Sequence, residues 1–348
     1  MTTTKAFGVT SATSKVGPLT IERRAPRADD VTIDILFCGV CHSDLHQARN
    51  EWGNSVYPMV PGHEIVGRVS AVGSAVKQHK VGALVGVGCM VSSCGECEWC
   101  QKGQEQFCVK HPAFTYNGTE MDRKTPTQGG YSTQVIVNQK FVLSVPESLD
   151  PAGAAPLLCA GITTWSPLRE WNVKKGDKVA VVGLGGLGHM GVKLAVSLGA
   201  DVTLISTSKK KADDAKRLGA QHFAVSTEPE MFTRLAGSFD FILDTVSATH
   251  DFNAYMSLLR PHGALVLVGA PPAGPPVQAF SLIGGNKRLA GSSIGGTVET
   301  QEMLDYCGKH GIVSDIEVIP AQQLNEAYER MLKSDVRYRF VVDVGSIK

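Results

Sequence analysis

Three glycines at the spacing Gly-x-Gly-x-x-Gly, in Gly183-Leu184-Gly185-Gly186-Leu187-Gly188, stand between an apolar run and a helical pattern. The first glycine permits a tight turn, the second lets the backbone approach a pyrophosphate, and the third allows close packing of helix on strand. Alone the motif is weak evidence, but this position between strand and helix makes it specific. Strand and helix patterns then alternate, which predicts a doubly wound α/β domain with a parallel sheet that binds a dinucleotide. The alternating segments are Lys178 to Val182, Leu187 to Leu198, Val202 to Ser206 and Lys210 to Leu218.

The end of the second strand indicates which dinucleotide is bound. An NAD-binding domain places an acid there, because the carboxylate accepts from the adenosine 2′-hydroxyl and repels a 2′-phosphate. This chain instead has Ser206-Thr207-Ser208 followed by Lys209-Lys210-Lys211. Hydroxyl and ammonium groups bind a phosphate, so we expect NADP(H). Asp213 and Asp214 are counter-evidence, but they fall inside the next helix, where we expect a solvated face.

The first 150 residues have a different character. Their apolar runs, such as Val31 to Leu36 and Ile65 to Gly73, are short, rich in β-branched residues and broken by glycine and proline. This pattern is typical of an irregular antiparallel barrel or sandwich. Two helical patterns and a strand-like run after residue 296 predict that the tail rejoins this domain. We therefore expect a catalytic domain at 1–154, a dinucleotide-binding domain at 155–295 and a return segment at 296–348. Further strands are expected at Phe239 to Asp244, Ala264 to Gly269 and Arg288 to Ile294, a loop at Pro271 to Pro276, helices at Thr300 to His310 and Gln322 to Leu332, and a strand at Tyr338 to Val344.

Four cysteines, Cys94, Cys97, Cys100 and Cys108, follow the spacing Cys-x2-Cys-x2-Cys-x7-Cys in a polar loop. The loop has too little apolar surface to order itself, and four thiolates around one zinc ion would order it. An iron–sulfur cluster also uses four cysteines at this short spacing. The long last interval and the lack of proline after Cys108 favour zinc. We expect a structural zinc lobe at 94–108.

A second group of metal-binding residue types is scattered through the sequence. Cys41-His42-Ser43-Asp44-Leu45-His46 follows an apolar run, Pro61-Gly62-His63-Glu64 forms a turn, and Leu158-Cys159-Ala160-Gly161 precedes a helical pattern. Two cysteines and one histidine make an open zinc site that leaves one tetrahedral position for a substrate oxygen. The alternative for Cys41 and its neighbours is a buried thiol with surface histidines. Cys38, Cys89 and Cys307 fit no such group and are expected to be small core residues.

Charge and length exclude several classes of protein. The formal charge is +1, and the longest basic run is Lys209 to Lys211, so nothing indicates binding to nucleic acid or an anionic membrane. No apolar run approaches a membrane span of about 20 residues, and the N-terminus lacks the apolar core of a signal peptide. We expect a cytoplasmic protein with a small-molecule substrate.

With these motifs in place, the chain resembles the zinc-dependent medium-chain alcohol dehydrogenases, in particular the cinnamyl alcohol dehydrogenase branch and its bacterial aldehyde reductases. The resemblance covers nearly the whole chain. It implies a Rossmann doubly wound sheet plus a mostly-β, GroES-like catalytic domain, two Zn²⁺ ions per chain, NADP(H) and a homodimer. Besides the cysteine lobe, it rests on Gly39 to His46, Pro61 to Glu64, Leu158 to Thr163, Gly183 to Gly188 and Arg337-Tyr338-Arg339-Phe340.

The resemblance also implies roles for single residues. Cys41, His63 and Cys159 would hold the catalytic zinc, with Glu64 beside it or as an occasional fourth ligand. Ser43 would contact the substrate oxygen and the cofactor, and His46 would end a proton relay through the nicotinamide ribose. The cofactor contacts implied are Thr163, Gly183, Leu184, Gly185, Gly186, Leu187, Gly188, Ser206, Thr207, Ser208, Lys211, Thr245, Gly269, Ser292, Ser293, Ile294 and, near the pyrophosphate, Arg339.

The expected reaction is hydride transfer between the nicotinamide and an aldehyde or primary alcohol, in the direction of aldehyde reduction. Ser293 is small where plant members tend to have an aromatic ring, and Trp165 replaces an expected tyrosine, so the substrate stays open. Three alternatives also remain: an NAD-dependent polyol or secondary-alcohol dehydrogenase, a metal-free quinone reductase, and a non-catalytic binding protein on the same fold. The quinone reductase is disfavoured because a metal-free enzyme gives Cys41, His63 and Cys159 no role.

Overall fold

The computed structural model describes residues 2–272 and 276–348. These residues divide into two compact units. One unit runs up to Ile162 and resumes at Gly295 through Lys348, and the other is Thr163–Ile294. The loop predicted at Pro271 to Pro276 lies partly outside the described residues. No helix within the described ranges combines the length and the apolar character needed to cross a membrane.

The N-terminal part of the first unit is built mainly from short strands. Its strands are β1 Thr2–Gly8, β2 Gly17–Arg23, β3 Asp30–Gly39, β4 Ile65–Val72, β5 Leu84–Val87, β6 Met90–Ser92, β7 Ala113–Phe114, β8 Gly118–Thr119, β9 Pro126–Thr127, β10 Gln134–Asn138 and β11 Leu143–Ser144. Its helices are α1 His42–Ala48, α2 Glu98–Gln101 and α3 Pro151–Ala154, with 3-10 turns at Glu105–Phe107, Gln139–Phe141 and Ala155–Leu158.

Strands and helices alternate through the middle of the chain, beginning with α4 Ala160–Glu170. The elements that follow are β12 Lys178–Val182, α5 Gly188–Ser197, β13 Asp201–Ser206, a 3-10 turn Lys209–Lys211, α6 Ala212–Arg217, β14 His222–Val225, α7 Pro229–Arg234, β15 Phe239–Asp244, α8 Phe252–Ser257, β16 Leu259–Leu267, α9 Ala279–Ile283 and β17 Arg288–Gly291. The tail contributes α10 Thr297–His310, β18 Ile316–Pro320, α11 Leu324–Leu332 and β19 Arg339–Asp343, with 3-10 turns at Ala321–Gln323 and Val344–Ser346.

The main sheet of the first unit has the strand order β11-β5-β4-β3-β19-β18, and β10 also pairs with β3. β19 runs antiparallel to β3, with Val342 opposite Cys38. The tail therefore returns to the strand that leads into Cys41. Apolar residues on these strands, including Ile33, Ile65 and Phe340, are fully buried. Burial of such side chains contributes about 25 cal/mol per Å² of apolar surface, so this core fixes the loops that the strands carry.

The second unit contains a parallel sheet with the order β14-β13-β12-β15-β16-β17. Val179, Ala180 and Val181 of β12 are fully buried, as expected for a central strand covered on both faces. The strand order reverses between β12 and β15, and ligands bind at such a switch point, outside the carboxyl ends of the strands. The prediction of a doubly wound α/β fold with a mostly-β domain is confirmed.

The structure differs from the sequence expectations at several boundaries. The strand expected at Arg288 to Ile294 ends at Gly291. Asp214 is buried, although we expected a solvated face, while Asp213 is exposed. The β1–β2 hairpin, β14, α7, α8 and β18 were not expected; they are short or carry little apolar periodicity.

Candidate functional site

The fold of the first unit brings together four residues that are far apart in sequence. Cys41 caps the N-terminus of α1, His63 and Glu64 precede β4, and Cys159 follows the 3-10 turn Ala155–Leu158. All four are buried, and one donor atom from each lies within 4.8 Å of the others. These donor types, two sulfurs, an imidazole nitrogen and a carboxylate oxygen, are the ligands that zinc takes in proteins.

The sulfur spacing tests whether zinc fits. The Sγ atoms of Cys41 and Cys159 are 4.0 Å apart. With zinc–sulfur bonds of about 2.3 Å and tetrahedral angles, two sulfur ligands lie about 3.8 Å apart. A hydrogen bond from Cys159 lowers the pKa of the Cys41 thiol well below its ordinary value, which favours the thiolate that binds a metal. The donor set therefore fits zinc in both geometry and charge.

Asp44 positions these donor residues through hydrogen bonds to the segments that carry them. Its side chain is completely buried. Oδ2 accepts from the backbone N–H of Cys41 at 2.9 Å and from the Tyr131 hydroxyl at 3.0 Å. Oδ1 accepts from the backbone N–H of Gly62 at 3.0 Å and faces Nδ1 of His63 at 3.1 Å. With Nδ1–H donated to the carboxylate, Nε2 of His63 keeps the lone pair that a metal needs.

Glu64 forms a buried ion pair with Arg339 of β19. Arg339 donates to Oε1 of Glu64, and both side chains are buried. Oε2 of Glu64 is buried without a hydrogen-bond partner among the described residues. Burial raises the pKa of Glu64 to about 7, although Arg339 opposes this shift. The carboxylate also requires a glycine at position 39, because a Cβ there would lie 1.9 Å from Oε2. An oriented, unsatisfied oxygen at this place suits a group beside a metal ion.

Ser43 and His46 lie on one face of α1, three residues apart. The Cys41 thiol points to Oγ of Ser43 at 3.7 Å, so Ser43 borders the donor set. His46 lies further out, with its side chain 31% exposed and Nδ1 at 2.5 Å from Oε2 of Glu51. Its ring is 5.3 Å from that of Trp52. The helix thus leads from the buried donor set to a titratable group in contact with solvent.

The four cysteines of the 94–108 lobe also converge, with one sulfur from each within 4.8 Å of the others. The Sγ atoms of Cys94 and Cys100 are 3.8 Å apart, and those of Cys97 and Cys100 are 3.5 Å apart. Backbone N–H groups of Cys100 and Val109 lower the pKa of Cys97 to about 6. The spacing and the N–H bonds to sulfur fit a closed tetrahedral zinc site with four thiolates.

The glycine motif of the second unit joins β12 to α5. Gly183 has φ +91, and its N–H donates to the carbonyl of Ile205 at 2.9 Å. A Cβ on Gly188 would lie 2.0 Å from the carbonyl oxygen of Gly183, so turn and helix meet in close contact. A Cβ on Gly185 would meet no atom of the described residues within 4 Å. The backbone at Gly185 is therefore open to a pyrophosphate at the N-terminus of α5.

The predicted 2′-phosphate residues follow β13, which lies next to β12. Ser206 is buried, and its Oγ accepts from the backbone N–H of Ser208 at 3.3 Å. Thr207 is exposed, Lys211 is half-buried, and Lys209 is paired with Glu228 at 2.8 Å. Hydroxyls and lysines thus lie at the carboxyl edge of the sheet, beside the glycine turn.

The other predicted cofactor residues occupy three separate places. Thr245, Gly269 and Ser292 lie one or two residues beyond the ends of the neighbouring parallel strands β15, β16 and β17, so they share one edge with the glycine turn. Thr163 lies on α4, and Ser293 and Ile294 close the second unit, with φ +40 at Ile294. Arg339 belongs to the first unit, where it contacts Glu64.

Two residues beside the Cys41 group were not expected there. Asp44 forms a capping box with Cys41, and its three-residue spacing from Cys41 is a sequence signal for that arrangement. Cys89, expected to be plain core, shares a hydrogen bond with Cys159 that lowers the pKa of the Cys89 thiol. We find no signal in the sequence that would have placed Cys89 there.

The fold and the two donor sets define a zinc-binding dehydrogenase with a dinucleotide domain. Comparison with known families agrees: residues 27–147 match the alcohol dehydrogenase GroES-like domain, and residues 186–309 match the zinc-binding dehydrogenase domain. The chain therefore belongs to the zinc-binding alcohol dehydrogenase family.

The chain is similar to its relatives over its full length. It is 54% identical over 349 residues to the NADP-dependent alcohol dehydrogenase C 1 of Mycolicibacterium smegmatis, covering 100% of both chains. It is 53% identical over 342 residues to the aldehyde reductase YahK of Escherichia coli, covering 97% of both. Among solved structures, a cinnamyl alcohol dehydrogenase of Sorghum bicolor superposes with a TM-score of 0.96 at 45% identity, covering 100% of this chain and 99% of that one.

Proposed function

We propose that this protein is a zinc-dependent, NADPH-dependent aldehyde reductase and alcohol dehydrogenase for aromatic and aliphatic aldehydes of the cinnamyl type. The observation that carries the proposal is the convergence of Cys41, His63 and Cys159 with Glu64, in a chain that also has the Gly183 turn and the hydroxyls at 206–208. The names of the relatives, an NADP-dependent alcohol dehydrogenase and an aldehyde reductase, support the choice of cofactor and reaction.

Each residue near the donor set has a task in this proposal. Cys41, His63 and Cys159 hold the ion, Asp44 fixes the ring of His63, and Arg339 keeps Glu64 oriented. Zinc, when bound, supplies the Lewis acidity that polarises a carbonyl oxygen, and NADPH supplies the hydride. Ser43 holds a proton at Oγ for the product oxygen, and His46 exchanges protons with solvent at the outer end of α1. The cysteines at 94, 97, 100 and 108 hold a second ion that orders their loop.

The test is turnover of a panel of aromatic and aliphatic aldehydes with NADPH and with NADH. Activity of the parent protein with NADPH should fall by at least about a thousandfold in Cys41→Ser, because one sulfur ligand is lost. Cys307→Ser is the matched control, since Cys307 is a buried thiol outside both donor sets. Turnover of polyols or secondary alcohols with NAD alone would contradict the proposal, and so would full activity in Cys41→Ser.

We further propose a cytoplasmic homodimer, as the family resemblance implies. Light scattering of the purified protein at micromolar concentration measures the oligomeric state directly. A mass of twice 37.1 kDa is expected, and a mass of one chain at all concentrations would contradict the dimer.

A further inference from the structure

A side-chain pair closes the loop that follows β15 in the second unit. Asp244, the last residue of that strand, is 1% exposed. Its Oδ1 accepts from the backbone N–H of Val246 at 3.0 Å, and its Oδ2 lies 2.6 Å from Nε2 of His250. Residues 245–249 are therefore held between two side chains that contact each other.

This loop contacts the glycine turn. The N–H and the hydroxyl of Thr245 both donate to the carbonyl of Val182, at 3.0 Å and 2.8 Å. A Cβ on Gly183 would lie 2.9 Å from Oγ1 of Thr245, and a Cβ on Gly269 would lie 2.3 Å from the carbonyl oxygen of Val246. The loop thus forms one wall of the strand edge at which we propose the dinucleotide.

Both ring nitrogens of His250 face oxygen atoms that can accept a hydrogen bond. Nε2 faces the carboxylate of Asp244, and Nδ1 faces the carbonyl oxygen of Ala248 at 2.8 Å. Both partners are acceptors when Asp244 is ionised, and a neutral imidazole has a single N–H. Both contacts are hydrogen bonds only when the pair carries two protons: either the ring is an imidazolium beside an ionised Asp244, or a protonated Asp244 donates to Nε2 while Nδ1–H donates to the carbonyl of Ala248. The His250 side chain is 14% exposed, so water has little access to replace either partner.

Few other titratable groups face His250. Its ring meets Phe252 and Tyr255 of α8 edge-on, with centroids 4.9 Å and 5.4 Å away. Burial raises the pKa of Tyr255, so its phenol stays neutral across the physiological range. The neighbouring Asp251 caps α8 by accepting from the N–H of Asn253. Asp244 is thus the carboxylate in contact with the ring, and burial raises its pKa as well.

We propose that Asp244 and His250 are positioning residues for the dinucleotide: a protonated clasp that holds loop 245–249 against the glycine turn and loosens as pH rises. The inference rests on the proposed cofactor function. When the pair loses its proton, either Nε2 sets a lone pair against the carboxylate or Nδ1 sets one against the carbonyl of Ala248. One hydrogen bond of the clasp is then replaced by repulsion, and the wall of the cofactor site loses its support.

The substitution Asp244→Asn keeps the hydrogen bonds of the pair but removes their dependence on the additional proton. The asparagine Oδ1 still accepts from the backbone N–H of Val246. The asparagine amide N–H donates to Nε2 of a neutral His250. The Nδ1–H of that ring still donates to the carbonyl of Ala248. The Kd for NADPH, followed by fluorescence from about pH 6.5 to 9, should rise about two- to tenfold in the parent, the equivalent of one hydrogen bond. The rise should be absent from Asp244→Asn.

Asp201→Asn is the matched control. Asp201 also contacts a histidine, with Nε2 of His222 at 2.9 Å from its Oδ1. That pair lies at the amino ends of β13 and β14, the edge opposite the glycine turn. The control should therefore reproduce the parent pH profile, including any contribution from the phosphates of NADPH.

Nitrogen-15 NMR of the imidazoles in the cofactor-free protein gives a second readout. The imidazole nitrogen shifts of His250 should change across this pH range in the parent and stay constant in Asp244→Asn. Constant His250 shifts in the parent across this pH range, or equal pH profiles of Kd in the parent and Asp244→Asn, would overturn the clasp. Absence of NADPH binding at every pH would overturn the proposed function, and the NMR measurement would still decide the protonation of the pair.

Discussion

Asp44 contacts Nδ1 of His63 at 3.1 Å, and the same carboxylate accepts from the backbone of Cys41 and Gly62. One buried side chain therefore positions two of the proposed zinc ligands, one from each of two loops. Because Cys41 and His63 belong to separate segments of the chain, their relative placement depends on this shared acceptor.

Replacing Asp44 by Asn should weaken zinc binding. The amide has only one accepting oxygen, and its NH₂ group would face N–H or O–H donors, so at least one of the present contacts becomes a donor–donor clash. Loss of such a supporting partner typically lowers metal affinity about 10- to 100-fold. Competition with a chromogenic chelator measures it. Asp34→Asn, an exposed carboxylate on β3, is the control and should leave the affinity unchanged.

We predict two zinc ions per chain with different labilities. The Cys41 group has three protein ligands in the proposal and one open position, whereas the cysteine lobe is closed by four thiolates. A chelator should remove the first ion sooner, and activity should disappear in step with it. Metal analysis by mass spectrometry during the treatment checks both points. One ion per chain, or iron, would contradict the prediction.

Replacing Cys94 by Ser should affect stability more than chemistry. The lobe has short elements and exposed apolar side chains such as Trp99 and Phe107, so the metal supplies most of its order. We expect a loss of about 2 kcal/mol or more in the free energy of unfolding, measured by denaturant titration. Cys41→Ser should show the reverse, with lost turnover and a smaller change in stability. A stable Cys94→Ser protein that keeps its other ion but has no activity would mean that the two sites are exchanged.

His46→Ala should lower the rate of aldehyde reduction most below neutral pH. Reduction consumes a proton, and an imidazole supplies one only in its protonated form, which is populated at low pH. NADPH affinity should change little. A pH profile identical to that of the parent would reduce His46 to a surface residue paired with Glu51.

Much of the architecture could be predicted from local signals in the sequence. The Gly183 turn was identifiable because strand, glycines and helix are contiguous, and the strand bounds Phe239–Asp244 agree because four of the six residues in this run are large and apolar. Several short elements could not be predicted from such signals. β1 carries the polar sequence TTTKAFG, and α7 and α8 have six residues each, too few for a clear helical period.

The four metal-binding residue types of the candidate site could be identified in the sequence, but their supporting contacts could not. Cys41, His63, Glu64 and Cys159 stand out by residue type, and the structure brings them together. The pairing of Glu64 with Arg339 joins residues 275 positions apart through the antiparallel contact of β19 with β3. No spacing rule reports such a pair, because it depends on which strand the tail joins. The same holds for Cys89 beside Cys159.

The exposed position of Thr207 makes it the most direct test of cofactor choice. Thr207 follows the last residue of β13, where NAD-binding domains carry an acid, and Ser206 and Ser208 flank it. If these hydroxyls and Lys211 bind the 2′-phosphate, NADPH should exceed NADH in kcat/KM by about ten- to a hundredfold, the equivalent of one charge-assisted contact.

Thr207→Asp should invert that preference. The new carboxylate would repel the 2′-phosphate as much as it attracts the 2′-hydroxyl, and discrimination needs both effects. Thr233→Asp is the matched control, because it adds the same charge at an exposed threonine on α7 of the same unit. It should keep the parent preference, which separates a local effect from a change in net charge. Steady-state kinetics with both cofactors measures the ratio, and equal efficiencies in the parent protein would show that the lysines at 209–211 are only a solvated start of the helix.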